Sequence, residues 1–236
     1  MSTLKNRSLS FRDISSVKQE RIGAYDETLD GRGYRFSLAG GTALAPGKLA
    51  VAATVDSNAT NKTVDAAVAI GAKKVTFTPG GTITANKYQD GFLTVNDAAG
   101  EGITYFVKGH AAGSSSASMT VNLLEPVEVA LTASTSEVSL TQNPYSAAVI
   151  SVVDQADMAV GVPNVSITAS YYGWIQTKGV CSVLADEAIT AGVAVTTGSS
   201  VAGSVEAADA AGEPIIGYAL VAAIDTEYRE ISLCID

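Results

Sequence analysis

The chain reads as an all-β protein, and three observations carry that reading. Short runs rich in Val, Ile, Thr, Tyr and Phe alternate apolar with polar residues, the period-two signature of a half-buried strand. Gly, Pro, Asn and Asp separate these runs at short intervals, as turns of a sandwich or barrel require. Long stretches with helical periodicity are missing. With 236 residues and about 100–200 residues per domain as the usual range, two small β-sandwich or barrel domains are expected.

Composition narrows the class further. At 47% hydrophobic and 17% charged, the chain has too much apolar matter for intrinsic disorder. Two cysteines cannot staple a fold of this size; two free thiols are expected, with one bridge between Cys181 and Cys234 as the alternative. No apolar run nears the ~20 residues of a membrane helix; Ala219 to Ile224 stops at Asp225. Charges at Lys5, Arg7, Arg12 and Asp13 leave no apolar core for a secretory leader. Charged residues fall below the roughly 25% usual for soluble domains, and Gly, Ala, Ser and Thr take their place, a surface suited to close contact with other proteins.

Residues 1–37 hold seven Lys or Arg and five acids, a net +2 on a chain of net −9. This asymmetry predicts an extended N-terminal arm, set against a solvated terminal segment without a partner. Nucleic acid is a poor partner for so acidic a chain. Within the arm, Phe11, Ile14 and Val17 space a short helix over 11–20. The first β-domain is expected over 38–130. Gly41 to Lys48 departs from a phosphate loop in its glycine spacing and in Leu49, where Mg²⁺ needs Ser or Thr; it reads as a turn opening a strand over 48–54. Residues 61–70 fit a helix or a strand equally. Strands follow at 73–78, 92–95, 103–107 and 119–123. Residues 131–144, Ser/Thr-rich and closed by Asn143-Pro144, read as a linker.

The second β-domain is expected over 145–236. Val165 to Thr168 reads as a strand leading into another over 171–175. Tyr172 and Trp174 share one face of that strand, as sandwich core, as an aromatic anchor at a subunit contact, or as a platform for carbohydrate. In the last strand Ile231, Leu233 and Ile235 share one face, and Tyr228, Glu230, Ser232 and Cys234 the other; burial of one face fixes the register.

Catalytic equipment is sparse. The single histidine, His110, lies in a glycine-flanked stretch with no positioned nucleophile and no metal-ligand spacing. Asp90-Gly91 and Asn96 to Gly102 carry oxygen atoms without EF-hand spacing; turn chemistry accounts for them, with a loop calcium site as the alternative. Glu101, Asp186 and Glu187 are acids that a glycan hydrolase would need in a spaced pair. Asn58, Asn61 and Asn164 head glycosylation sequons that read as coincidence in a Ser/Thr-rich chain. No cofactor, metal or enzyme activity is expected.

Four segments of the second half carry a resemblance: Gly173 to Gly179, Ala188 to Val195, Gly198 to Val205, and Pro214 to Leu220. Their glycines and apolar positions, followed by an acidic turn and a last strand, resemble the head decoration (capsid cement) proteins of tailed bacteriophages. Gly23 to Val51 and Asn96 to His110 also resemble phage structural proteins. The resemblance implies a β-tulip-like second domain. It implies a virion protein, made in the host cytoplasm, that sits on the outer capsid surface as a homotrimer and stabilises the shell, with the major capsid protein and itself as partners, without nucleic acid or membrane. Arg7, Phe11, Arg12, Lys18 and Arg21 would then contact the capsid, and Tyr172 and Trp174 a neighbouring subunit. The alternative virion roles are a tail-tube, head-fibre or receptor-binding component.

Overall fold

A computed structural model describes residues 4–5, 10–153 and 158–236. The fold is all-β, 41% strand and 1% helix. The one helical element among the described residues is a 3₁₀ turn, Ser57–Ala59. No helix is long and apolar enough to cross a membrane.

The short helix expected over 11–20 does not form, and residues 61–70 take the strand alternative at Lys62–Thr63. Across 11–20 the short polar side chains bind the local backbone: Ser10 N–H donates to Asp13 Oδ2, Arg12 N–H to Ser10 Oγ and Val17 N–H to Ser15 Oγ. Such bonds give the backbone an alternative to the helical ladder. Ser15 bridges Tyr172 instead. In 61–70, Val64 N–H donates to Ser136 O and Val68 N–H to Leu131 O, and the two valines form isolated bridges to Phe77 and Leu131.

The chain folds as two compact units, 1–53 with 144–236 and the intervening 54–143. Unit 1 opens with β1 (Tyr25–Glu27), β2 (Gly33–Leu38) and β3 (Ala50–Val51). Unit 2 contributes β4 (Lys62–Thr63), β5 (Lys74–Phe77), β6 (Phe92–Asp97), β7 (Thr104–His110), β8 (Met119–Leu123) and β9 (Glu137–Thr141). The chain returns to unit 1 as β10 (Val149–Ile150), β11 (Ala159–Pro163), β12 (Tyr172–Leu184), β13 (Ala194–Thr197), β14 (Val205–Ala207), β15 (Gly217–Ala219) and β16 (Tyr228–Cys234).

This arrangement corrects the expected succession of arm, domain, linker and domain. Strands β3 and β10 pair antiparallel, Val149 opposite Val51 and Ile150 opposite Ala50, and unit 2 is inserted between them. The expected arm holds β1 and β2, whose Tyr34 and Phe36 are buried. The expected linker holds β9, with Val138 and Leu140 buried and Ser139 and Thr141 on the other face. Of its Ser and Thr residues, Ser139 and Thr141 are the polar half of the strand's alternation and Thr132, Ser134, Thr135 and Ser136 form the turn before it, while Asn143-Pro144 does mark the edge of the unit. Val165 to Thr168 forms no strand; Ile167 alone bridges Leu44.

Unit 2 is a six-stranded sheet ordered β4-β9-β6-β7-β8-β5. Val64 bridges Phe77, and Asp65 N–H donates to Thr76 O, so the first and last strands meet and the sheet nearly closes. Closure removes the edges that other chains would template on. Alternate residues (Leu93 and Val95, Tyr105 and Val107, Met119, Val121 and Leu123) fill its core.

In unit 1 the long strand β12 is the spine. Its first part pairs with β2 from Tyr172 to Lys178 and with β11 at Ile175 and Gln176; its second part pairs with β16 from Lys178 to Leu184. The register shifts between Gln176 and Lys178, and two cores form on either side of that joint. One gathers Phe11, Tyr34, Phe36, Leu44 and Trp174. The other gathers Leu49, Val183, Val195, Ile231 and Leu233.

Candidate interaction surface

The structure separates the residues expected to contact a capsid. Phe11 is buried and stacks on Tyr34, ring centroids 4.7 Å apart at 12°. The guanidinium groups of Arg12 and Arg32 lie 5.5 and 5.1 Å from its ring centre, within reach of a cation–π attraction. Phe11 therefore anchors the N-terminal segment to its own unit, and the expectation that it bridges capsid subunits is corrected. Arg12 and Arg21 are exposed and Lys18 is half-buried; Arg7 lies outside the described residues. Phe11→Ala is expected to lower the stability of unit 1 by about 3 kcal/mol, read as a shift of the urea midpoint. An unchanged midpoint would show the ring to be dispensable.

Tyr172 and Trp174 do share a face, and that face points inward. Register sets Trp174 opposite Phe36 on β2. Phe36 packs edge-on against Trp174 at 5.3 Å and stacks on Tyr172 at 5.8 Å. Trp174 is 1% exposed, so it cannot anchor a neighbouring subunit in this fold. Tyr172 is half-buried against the same core. Of the reading's alternatives, sandwich core is the one that Trp174 takes.

The joint of β12 carries a polar cluster invisible to sequence reasoning. Arg35 grips Asp236 with two nitrogens, Nε to Oδ2 and Nη2 to Oδ1, both 3.0 Å. The Thr177 hydroxyl donates to Asp236 Oδ2 at 2.6 Å. Burial pushes the Asp236 carboxyl upward, but Arg35 and Thr177 outweigh it and hold it below the ordinary aspartate value. Beside it Gln176, fully buried, accepts from Tyr34 OH and from Asn164 Nδ2, and donates to the carbonyls of Lys178 and Val180. The cluster ties β2, β12 and the last residues together. Arg35 and Asp236 stand 201 positions apart, so no local signal joins them.

The remaining polar candidates are occupied in holding loops. His110 ends strand β7 rather than lying in a loop, and it is buried. Its Nε2 accepts from Tyr88 N–H at 2.9 Å, which leaves Nδ1 protonated and donating to Ala111 O at 2.7 Å. Burial lowers its pKa, with the bond to Ala111 opposing. Asp186 accepts from Ser200 N–H and Val201 N–H, Glu187 from Ala207 N–H, and Glu206 from the Ser199 N–H and hydroxyl. These acids brace the 198–207 segment, while Glu101 belongs to unit 2. Among the described residues no three His, Cys, Asp or Glu side chains gather at metal-binding distance. In the 41–48 segment Leu44 is buried, and Gly47 turns at φ +69° with the Tyr228 ring where a Cβ would lie. The strand it opens is limited to β3. Cys181 is buried, its thiol pushed up to about 12 by desolvation against the opposing charge of Arg32. Cys234 is exposed, and both thiols are free.

The surface itself is uneven. Among the described residues nineteen large apolar side chains are exposed, fifteen in unit 1 and four in unit 2. Five of those in unit 1, Ile215, Tyr218, Leu220, Val221 and Ile224, fall within residues 215–224, and it is contiguous apolar surface rather than singly scattered groups that marks contact sites.

Fold and surface thus define an all-β protein of two units, one a nearly closed barrel inserted in the other. Comparison with protein-family models, with curated proteins and with solved structures found no match to this chain.

Proposed function

We propose that this protein is a virion structural component that binds the outer surface of an assembled tailed-phage capsid and stabilises it, without catalytic activity. One observation carries the structural part of the reading: the apolar exposure of unit 1 on a chain only 17% charged. The capsid itself comes from the resemblance in the second half. Binding to assembled shell and not to separated subunits shifts the equilibrium toward the intact shell by mass action. Unit 1 is the side that meets protein, with Arg12, Lys18 and Arg21 as its basic contacts. The homotrimer that the resemblance implies belongs to the same proposal.

Quantitative mass spectrometry of purified particles tests it. Hundreds of copies per particle, below the count of the main shell protein, are expected. A few to tens of copies would assign the chain to the tail, a fibre or a receptor-binding part, and absence from the particle would end the virion reading.

A further inference from the structure

Strand β7 breaks its own ladder near its end. Val107 lies opposite Leu123 and Gly109 opposite Asn122, so Lys108 is an extra residue without a partner on β8. A bulge of this kind re-aims side chains and is over-represented beside functional sites. Val107 and His110 are buried, and Lys108 is exposed. Asn86 meets the bulge with a second local exception, a left-handed backbone at φ +60°, which asparagine tolerates better than most residues. Asn86 N–H donates to His110 O at 3.1 Å, and Asn86 Oδ1 accepts from His110 N–H at 3.0 Å. A Cβ at Gly109 would come within 2.8 Å of that Oδ1, so glycine leaves room for the Asn86 carboxamide.

Asn86, Lys108, Gly109, His110 and Asn122 line a cavity of about 400 Å³ in unit 2. Small-molecule sites run to roughly 300–1,000 Å³. Hydrogen bonds decide which polar ends face a ligand. Asn86 commits Oδ1 to His110, which leaves Nδ2 as a donor. Asn122 commits Nδ2 to Gly109 O at 3.3 Å, which leaves Oδ1 as an acceptor. Lys108 makes no salt bridge among the described residues, and Glu125 accepts from Phe106 N–H instead of pairing with it. His110 is wall alone, since both ring nitrogens are bonded within the chain.

That set selects a class of ligand. A cation beside a neutral N–H donor suits a carboxylate. The free acceptor, Asn122 Oδ1, calls for a ligand hydroxyl, which a plain anion such as acetate lacks. A free amino acid would bring an ammonium beside Lys108, with no carboxylate among the lining residues to hold it. Phe106 lies two residues back on the same face of β7, ~7 Å away at ~3.4 Å per residue. It is half-buried and edge-on to Phe92 at 5.9 Å, an apolar neighbour for the C–H face of a ring. We propose that this cavity binds an acidic sugar, its carboxylate on Lys108 Nζ and Asn86 Nδ2 and a hydroxyl donating to Asn122 Oδ1. The site is confined to unit 2 and does not rest on the virion reading. An exposed ion pair adds little affinity, so binding is weak.

Amide chemical-shift titration of the purified chain tests it. With glucuronate, shifts at residues 86, 108–110 and 122 are expected to saturate with a Kd of about 1–10 mM. Glucose has the hydroxyls without the charge and acetate the charge without the hydroxyls, and each is expected to bind at least about tenfold more weakly. A tetrasaccharide containing glucuronate separates a polysaccharide unit, which it would match or exceed in affinity, from a free sugar acid, which it would not. Lys108→Gln is expected to weaken glucuronate binding several-fold. Asn86→Asp keeps an oxygen for His110 N–H and puts a carboxylate oxygen where the donor stood; it is expected to abolish saturation with the rest of the spectrum unchanged. No saturable shift with glucuronate, equal binding of acetate or glucose, or an Asn86→Asp chain that binds as the wild type does would each overturn the assignment. Copy number per particle is untouched by any of these results.

Discussion

Trp174→Ala is expected to cost unit 1 about 3–5 kcal/mol while leaving unit 2 folded. The indole is among the largest fully buried side chains and packs on Phe36 at the centre of the first unit 1 core. Removing it takes away both the transfer free energy and the contacts that line the resulting cavity. Domain stabilities of about 5–15 kcal/mol are usual, so the loss is a large fraction of what holds unit 1 together. The core of unit 2 draws all its members from 54–143, and its sheet nearly closes on itself. Hydrogen exchange separates the two: protection should fall in β2 and β12 and persist in β6 to β9. Equal loss in both units would show a single cooperative body and contradict the division.

What was legible in the sequence was what period-two alternation encodes. The strand over 119–123 matches β8 residue for residue. The faces of the last strand came out correctly, Ile231 and Leu233 buried and Cys234 exposed, because one slip of register would bury Glu230. The discontinuity of unit 1 was not legible. The strands that pair on either side of the insertion, β3 and β10, have two residues each, too short to show any period. The N-terminal segment misled through its charge. Tyr34 and Phe36 flank Arg35 in proper alternation, and Asp30-Gly31, with Gly31 at φ +84°, supplies the turn between β1 and β2, yet the net +2 of residues 1–37 is also what an extended arm would carry. Trp174 shows the limit of parity. Parity says which residues share a face, and only the partner strand, here β2, says which face is inside.

Asp236→Asn is expected to loosen the β12 joint and to erase part of the acid sensitivity of unit 1. The side chain keeps its shape but loses the charge that Arg35 grips at two points. Breaking a buried pair costs about 3–5 kcal/mol. Here the Arg35 and Asp236 side chains remain 31% and 19% exposed, so water screens the interaction and about 1–2 kcal/mol is the better figure. The pH dependence has a definite sign. The folded carboxyl titrates below its unfolded value of ~3.9, so its contribution is complete above that value and is lost as pH falls through the folded pKa. His110 in unit 2 acts earlier. Burial holds its folded pKa below ~6.5; on acidification the unfolded chain takes up a proton that the folded barrel resists, and stability falls from about pH 6.5 downward until the folded pKa is passed. The single tryptophan lies in the core of unit 1, so its emission reports that unit alone. In an acid titration the hydrogen-exchange protection of the barrel should weaken first, with Trp174 emission unmoved until about pH 4. In Asp236→Asn the same emission should start from a lower urea midpoint at pH 7 and change less between pH 5 and 3. If wild type and variant lost midpoint in parallel across that range, Asp236 would not be the group whose charge closes the joint.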